Sequence, residues 1–347
     1  MTKKTTGDVS GYNQLKSDLS AKTPKNFYIF YGEEDYLRRY YLSALRRQLL
    51  DGLTDDFNFH RLTEENFTLQ ELSDSLEALP MMAERSLVLI EDVDLFALPE
   101  GERSKLAELL SELPEYCCLI LTYEEFKPDK RKKKLWEALE KNAVMVEFRY
   151  QSEHDLKQWI NRHFKANQKL ISPVLCTYLL ERCGVSMTHL DGEIEKICAY
   201  SGAPEIVQAD IDAVVEPTLE AVVFDISDAL AQRRFDRALE CLQTAFQLRE
   251  EPIYVLGAIG SQMRRLHAAK VLLSEGKSGA ELAELCGIAP FAANKTVAQA
   301  RRISDRFCEK AVLLCYETDY KLKSTYDDGE RLLETLVFEL AEVARHD

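Results

Sequence analysis

The chain has 347 residues, with 44 lysines and arginines against 59 aspartates and glutamates, giving a net charge of -15. That length predicts two or three domains at about 100 to 200 residues each. The acidic balance argues against a protein whose main business is gripping phosphate backbones on its own, because such binding rests on Lys and Arg neutralising phosphates.

The apolar run Phe27-Tyr28-Ile29-Phe30-Tyr31 predicts a buried strand, and Tyr36 to Leu50 the helix after it. Between them, where a phosphate-binding loop would stand, the sequence reads Gly32-Glu33-Glu34-Asp35-Tyr36-Leu37. A working loop needs GxxxxGK[ST]: glycines so that backbone N–H groups wrap the phosphates, a lysine for their charge, a hydroxyl for magnesium. Only the first glycine is present. The three carboxylates favour a helix start by roughly 0.3 to 1 kcal/mol each and repel anions from it. This is a degenerate nucleotide site at which no binding or hydrolysis is expected. The Gly-Lys-Ser at Gly276-Lys277-Ser278 has Val271 in place of the first glycine and reads as a loop between helices.

Further strands are predicted over Asn58 to Leu62, Ser86 to Glu91, Cys117 to Tyr123 and Val144 to Phe148, with helical patterns between them. Such alternation argues for βαβ units in a mostly parallel sheet with helices on both faces. Ser86 to Asp92 resembles a Walker B strand, but without a P-loop lysine its acids have little to serve, and a buried strand ending at a polar turn is the favoured reading.

Ahead of that strand, Leu69, Leu72, Leu76 and Leu79 form a 3-4-3 stripe expected to face the core. If helical geometry ran past Pro80, Met81 would point nearly opposite the stripe and Met82 well to its side. Displayed in that way, the two flexible apolar side chains would make a partner-binding plug, contributing roughly 1.5 to 3 kcal/mol each on burial. If instead Pro80 ends the helix, the pair folds back into the core. From the pattern alone the second reading is favoured. The basic run Lys130-Arg131-Lys132-Lys133-Lys134 introduces a helix carrying Trp136; a solvated face is its ordinary reading, with DNA contact as the alternative.

After Phe148 the strand signal stops. Gln151 to Lys165, Ser172 to Gly184 and Thr188 to Tyr200 predict three helices, and a short helix precedes a boundary near Glu216-Pro217. From Thr218 onward apolar spacings of three and four, with breaks at Glu251-Pro252, Gly276, Gly287 to Pro290 and Asp327 to Gly329, predict five or six packed helices whose wide apolar faces also suit subunit contacts. The nine cysteines show neither C-x-x-C nor zinc-like spacing and read as core residues in a reducing cytosol. His60, His154, His163, His189, His267 and His346 are dispersed, so no catalytic residue, metal or cofactor is implied. No signal peptide or membrane span is visible, and a soluble cytoplasmic protein is expected.

Taken in order, these residues resemble the delta subunit of the bacterial DNA polymerase III clamp loader, over roughly residues 25 to 345. The resemblance rests on Phe27 to Leu37, on Leu79 to Leu89 with Ala83-Glu84-Arg85, and on Leu190-Asp191-Gly192-Glu193-Ile194-Glu195-Lys196-Ile197-Cys198-Ala199-Tyr200. There Gly192 stands where the family often has asparagine. Val223 to Leu230, Ala289-Pro290-Phe291 and Asp319-Tyr320-Lys321-Leu322-Lys323 continue it. It implies an α/β AAA+-like (RecA-like) N-terminal domain with a parallel sheet over 1–148, a small helical lid domain over 149–215 and an all-α C-terminal collar over 216–347. It also implies a chain that binds the beta sliding clamp and helps to open it without hydrolysing ATP. The clamp-binding tip falls on Leu79, Met81 and Met82, with the methionines replacing the family's more usual leucine-phenylalanine type pair. Implied partners are the ATP-hydrolysing subunits and delta-prime, through the C-terminal helices, and primer-template DNA within the complex. The DNA-directed DNA polymerase activity, a nucleotidyl transfer, belongs to the holoenzyme. The rival readings are an active AAA+ ATPase acting on DNA and an inactive scaffold that touches no clamp.

Overall fold

A computed structural model describes residues 10–50, 52 and 55–346. The chain divides into two compact units, Met1–Tyr150 and Gln151–Asp347.

The first unit runs α1 (Ser10–Ala21), β1 (Phe27–Tyr31), α2 (Asp35–Leu49), α3 (Asp55–Asn58), β2 (Phe59–Thr63), α4 (Leu69–Glu77), β3 (Ser86–Glu91), α5 (Glu100–Ser111), β4 (Cys117–Tyr123), α6 (Lys133–Asn142) and β5 (Val144–Glu147). The strands form one sheet in the order β2-β3-β4-β1-β5, every pair parallel, with Ile29 opposite Leu121 on one side and Met145 on the other. Both faces are covered, which is why β1, β3 and β4 read as unbroken apolar runs. Side chains alternate between the faces. Phe27, Ile29, Val88, Ile90, Leu119 and Leu121 pack with Leu72 and Leu76 of α4, Leu106 and Leu110 of α5 and Leu135 and Leu139 of α6. On the other face Phe30 meets Phe148 edge-on at 5.1 Å, and Tyr12 of α1 and Tyr41 of α2 close over the same phenylalanine.

The sequence pattern overlooked α1, because its apolar content is low. It is held instead by polar detail. Tyr28 Oη donates to Asp18 Oδ2 at 2.8 Å and accepts the Lys25 N–H at 2.7 Å. Asp18 is 4% exposed, so the bond is made out of water, where a satisfied polar pair fixes one arrangement. Gly11 lets the helix lie against β5.

The second unit is helical throughout apart from one bridge between Leu170 and Glu205: α7 (Glu153–Ala166), α8 (Pro173–Cys183), α9 (Met187–Tyr200), α10 (Gln208–Val214), α11 (Leu219–Ala231), α12 (Phe235–Gln247), α13 (Pro252–Ser274), α14 (Gly279–Cys286), α15 (Pro290–Ala300), α16 (Asp305–Ser324) and α17 (Gly329–Arg345). Ser152, Ser172, Ser186, Thr218 and Ser304 each cap a helix by accepting an N–H from its first turn. From Leu219 onward there are seven helices among the described residues rather than five or six. The two extra breaks carry neither Gly nor Pro: Arg233 takes a left-handed φ of 59° between α11 and α12, and Arg301 to Ser304 separate α15 from α16. Val255, Ile259, Met263 and Leu266 of α13 lie at the centre of the resulting core.

A Cβ on Gly11 would stand 1.8 Å from the Met145 carbonyl oxygen. Gly11→Ala is therefore expected to destabilise the chain by about 1 to 3 kcal/mol through displacement of α1 from β5, despite the gain of about 1 kcal/mol in helix propensity. Urea denaturation of the two proteins checks this, and equal midpoints would refute it.

Candidate functional site

Two places carry the residues that the sequence singles out. The first is the turn joining β1 to α2. Gly32 has a φ of 120°, and a Cβ there would lie 2.2 Å from the Phe148 carbonyl oxygen, so only glycine fits. Four amides of the turn already have partners. Gly32 N–H donates to Glu124 O at 3.2 Å, Glu34 N–H to Phe148 O at 3.1 Å and Asp35 N–H to Glu33 O at 3.2 Å. The Tyr36 N–H is hydrogen-bonded to the Glu34 carboxylate. On the carbonyl side, Arg38 donates to Gly32 O at 2.9 Å and Tyr123 O at 3.0 Å, and its guanidinium pairs with Asp35 at 2.8 Å.

The three acids of this turn differ. Glu33 is exposed and Asp35 half-buried, whereas Glu34 is only 4% exposed. Burial pushes the Glu34 carboxyl from 4.5 up to about 7; the Tyr36 N–H opposes that rise and the charge of Asp35 adds to it. At the end of β3, one strand beyond β4, Glu91 pairs with Arg61 and Asp92 accepts the Glu124 N–H at 3.2 Å. These acids thus serve the turns around them.

The second place is the turn between α4 and β3. Thr68 caps α4 by accepting the Glu71 N–H at 3.0 Å, and Leu72 and Leu76 are buried. The helix stops at Glu77, earlier than the leucine stripe implies. Ala78 has a ψ of 119°, and Pro80 turns the residue before it away from helical geometry. Leu79 therefore leaves the stripe and stands 78% exposed rather than facing the core. Met81 and Met82 neither continue a helix nor fold back into the core: they are 57% and 90% exposed, and Met82 adopts a left-handed φ of 54°.

This turn is anchored at several points. Tyr116 Oη donates to Glu77 O at 3.1 Å at the end of α4. Arg85 donates to Pro24 O at 2.9 Å and Asn26 Oδ1 at 2.6 Å just before β3. Between them Asn58 bonds the Met81 backbone twice. The expected strand start at Asn58 is corrected here: Asn58 ends α3 and β2 begins at Phe59. Phe57, beside it, is 63% exposed. The sequence pattern missed both residues, and an asparagine at an element boundary was the one available signal.

The basic run lies elsewhere on the first unit, at the start of α6. Arg131 pairs with Asp129 at 2.9 Å and Lys134 with Glu108 at 2.8 Å. Lys132 donates to Phe96 O, and Lys130 lies 4.8 Å above the Trp136 ring. Gly276 to Ser278 form the loop between α13 and α14, with Ser278 capping the latter. Burial raises the Cys117 thiol to about 11 and the Cys118 thiol to about 12, so neither is a thiolate nucleophile near neutrality. Among the described residues no three His, Cys, Asp or Glu side chains converge as a metal site, and no helix is long and apolar enough to cross a membrane.

Comparison with known proteins adds a family. The model for the DNA polymerase III delta subunit matches residues 28–149, and the model for that subunit's C-terminal domain matches residues 220–340. DNA polymerase III subunit delta of Bacillus subtilis is 27% identical over 323 residues, covering 90% of this chain and 92% of the relative. A probable DNA polymerase III subunit delta of Aquifex aeolicus is 23% identical over 283 residues, 79% of each chain. The solved structure of the Bacillus subtilis DNA clamp loader delta protein shares the fold, with a TM-score of 0.72 at 24% identity over 95% of this chain and 99% of that one.

The environment of Glu34 sets a pH dependence. Between its unfolded value near 4.5 and about 7 the folded chain holds a proton that the unfolded chain has released, so stability falls as pH rises through that window. Glu34→Gln keeps an oxygen for the Tyr36 N–H and removes the titration. The variant is expected to exceed the parent in stability by on the order of 1 to 3 kcal/mol at about pH 8, with the gap closing towards about pH 5. Denaturation at the two pH values measures it; a constant gap would refute it.

Proposed function

The chain belongs to the DNA polymerase III delta subunit family, and from that premise we propose that it binds the ring-shaped sliding clamp and helps to open it for loading onto primed DNA during replication, without hydrolysing ATP itself. The observation that carries this reading is the display of Leu79, Met81 and Met82 in water on an anchored turn. Large exposed apolar side chains grouped on one turn are a costly surface unless a partner covers them. Methionine suits an adaptable contact. A ring pocket that takes the pair when its interface is open, and less well when it is closed, draws the equilibrium towards the open form by that difference in affinity alone.

ATP chemistry falls to neighbouring subunits in this reading. The β1–α2 turn supports it, since four of its amides and its arginine are already engaged within the chain. The ATP-hydrolysing subunits and delta-prime are the partners proposed for the C-terminal helices, where Leu313, Tyr316 and Tyr320 of α16 and Phe338 of α17 are exposed. Primer-template DNA is met within the complex. The run from Lys130 to Lys134 contributes little to it, because Arg131 and Lys134 already pair with nearby acids.

Replacing Met81 and Met82 together by serine is expected to weaken binding to the purified clamp about a hundredfold or more. The thermal midpoint should stay within about 2 °C of the parent, as both residues are exposed. Surface plasmon resonance reads the affinity; an unaltered value in the folded variant would sink the clamp reading and leave a scaffold. For the isolated chain, equilibrium dialysis is expected to detect no stoichiometric ATP, and one bound ATP per chain would instead favour an active ATPase.

A further inference from the structure

Resting on the clamp-binding reading, we infer that Asn58 is the positioning residue of the Met81–Met82 turn, its buried carboxamide holding the Met81 backbone so that the apolar pair is displayed in its binding form before a partner arrives. Asn58 is 1% exposed. Its Oδ1 accepts the Met81 N–H at 2.7 Å, and its Nδ2 donates to the Met81 carbonyl oxygen at 2.9 Å. Both ends of one amide thus engage both backbone groups of one residue, which fixes the orientation of that residue as well as its position.

The clasp falls where the chain has little else to hold it. Among the described residues, backbone-to-backbone hydrogen bonds flank the turn at Ala78 N–H to Asp74 O, 3.0 Å, and at Ser86 N–H to Tyr116 O, 2.8 Å, with none between them. Met82, the next residue, has the left-handed φ of 54°. A methionine holds that conformation only when its surroundings impose it. Without the clasp the turn would sample other conformations, and ordering it again on binding would be charged against affinity.

Leucine keeps the branching of asparagine at Cγ and, though bulkier, suits a buried position, while Met81, being 57% exposed, can turn its freed N–H and C=O to water. Asn58→Leu should therefore loosen the turn and leave the fold intact. Serine, too short to span both groups, provides a second variant.

The test uses the full chain and the purified sliding clamp of the same organism, with binding kinetics and hydrogen exchange at the Met81 amide. Asn58→Leu is expected to bind about ten- to a hundredfold more weakly, with loss of protection at Met81. It should add nothing further in the Met81→Ser, Met82→Ser background. Parental affinity in folded Asn58→Leu, or retained protection of the Met81 amide, overturns the inference. If Asn58→Leu does not fold, the same two readings on Asn58→Ser decide it. A parental chain without affinity for the clamp overturns the reading beneath the inference, an outcome distinct from parental binding that Asn58 does not affect.

Discussion

Backbone groups taken out of water need partners, and at the carboxyl ends of β1 and β4 that requirement organises the first unit. In a nucleotide-binding protein of this general architecture, phosphate oxygens meet the amides of the loop after the first strand. Here the chain meets them itself, with the carbonyls of Glu124 and Phe148 and the carboxylate of Glu34. Arg38 completes the arrangement by joining the carbonyls of Gly32 and Tyr123. One turn thereby ties β1 to the segments that follow β4 and β5.

The α4–β3 turn makes the opposite demand. A protein that exposes Leu79, Met81 and Met82 gives up the free energy of burying them, roughly 1.5 to 3 kcal/mol for each, and must recover it elsewhere. The recovery is local. Leu72 and Leu76 bury one side of α4, β3 is buried up to Glu91, and Tyr116, Asn58 and Arg85 fasten the segment between them. Rigid neighbours on both sides let a short stretch carry side chains that the core would otherwise claim.

The parallel sheet was legible because β1, β3 and β4 are buried on both faces, so their apolar runs need no alternation to be seen. The helix from Ser172 to Gly184 was legible for equally local reasons. What escaped the sequence was whatever depends on partners distant along the chain. The polar helix α1 is fixed by Tyr28 and by the backbone of β5; Arg233 breaks a helix without glycine or proline; Asn58 reaches across 23 positions to Met81. At the β1–α2 turn the sequence showed one glycine and no lysine, but its three acids looked alike. Only packing separates buried Glu34 from exposed Glu33. At the tip, the leucine spacing continued past the point where the helix stops, so the pattern placed Leu79 inward when the backbone had already turned it out.

Two thioethers in water bring a chemistry that the leucine or phenylalanine of a comparable tip would lack. Met82, 90% exposed, is open to oxidants, and a sulfoxide is polar, chiral and enzymatically reversible. A single oxygen atom on that sulfur would put a strong hydrogen-bond acceptor where the turn now presents an apolar surface, while the buried leucines of α4 stay untouched. The polarity of the turn's surface is thus coupled to the redox state of its surroundings.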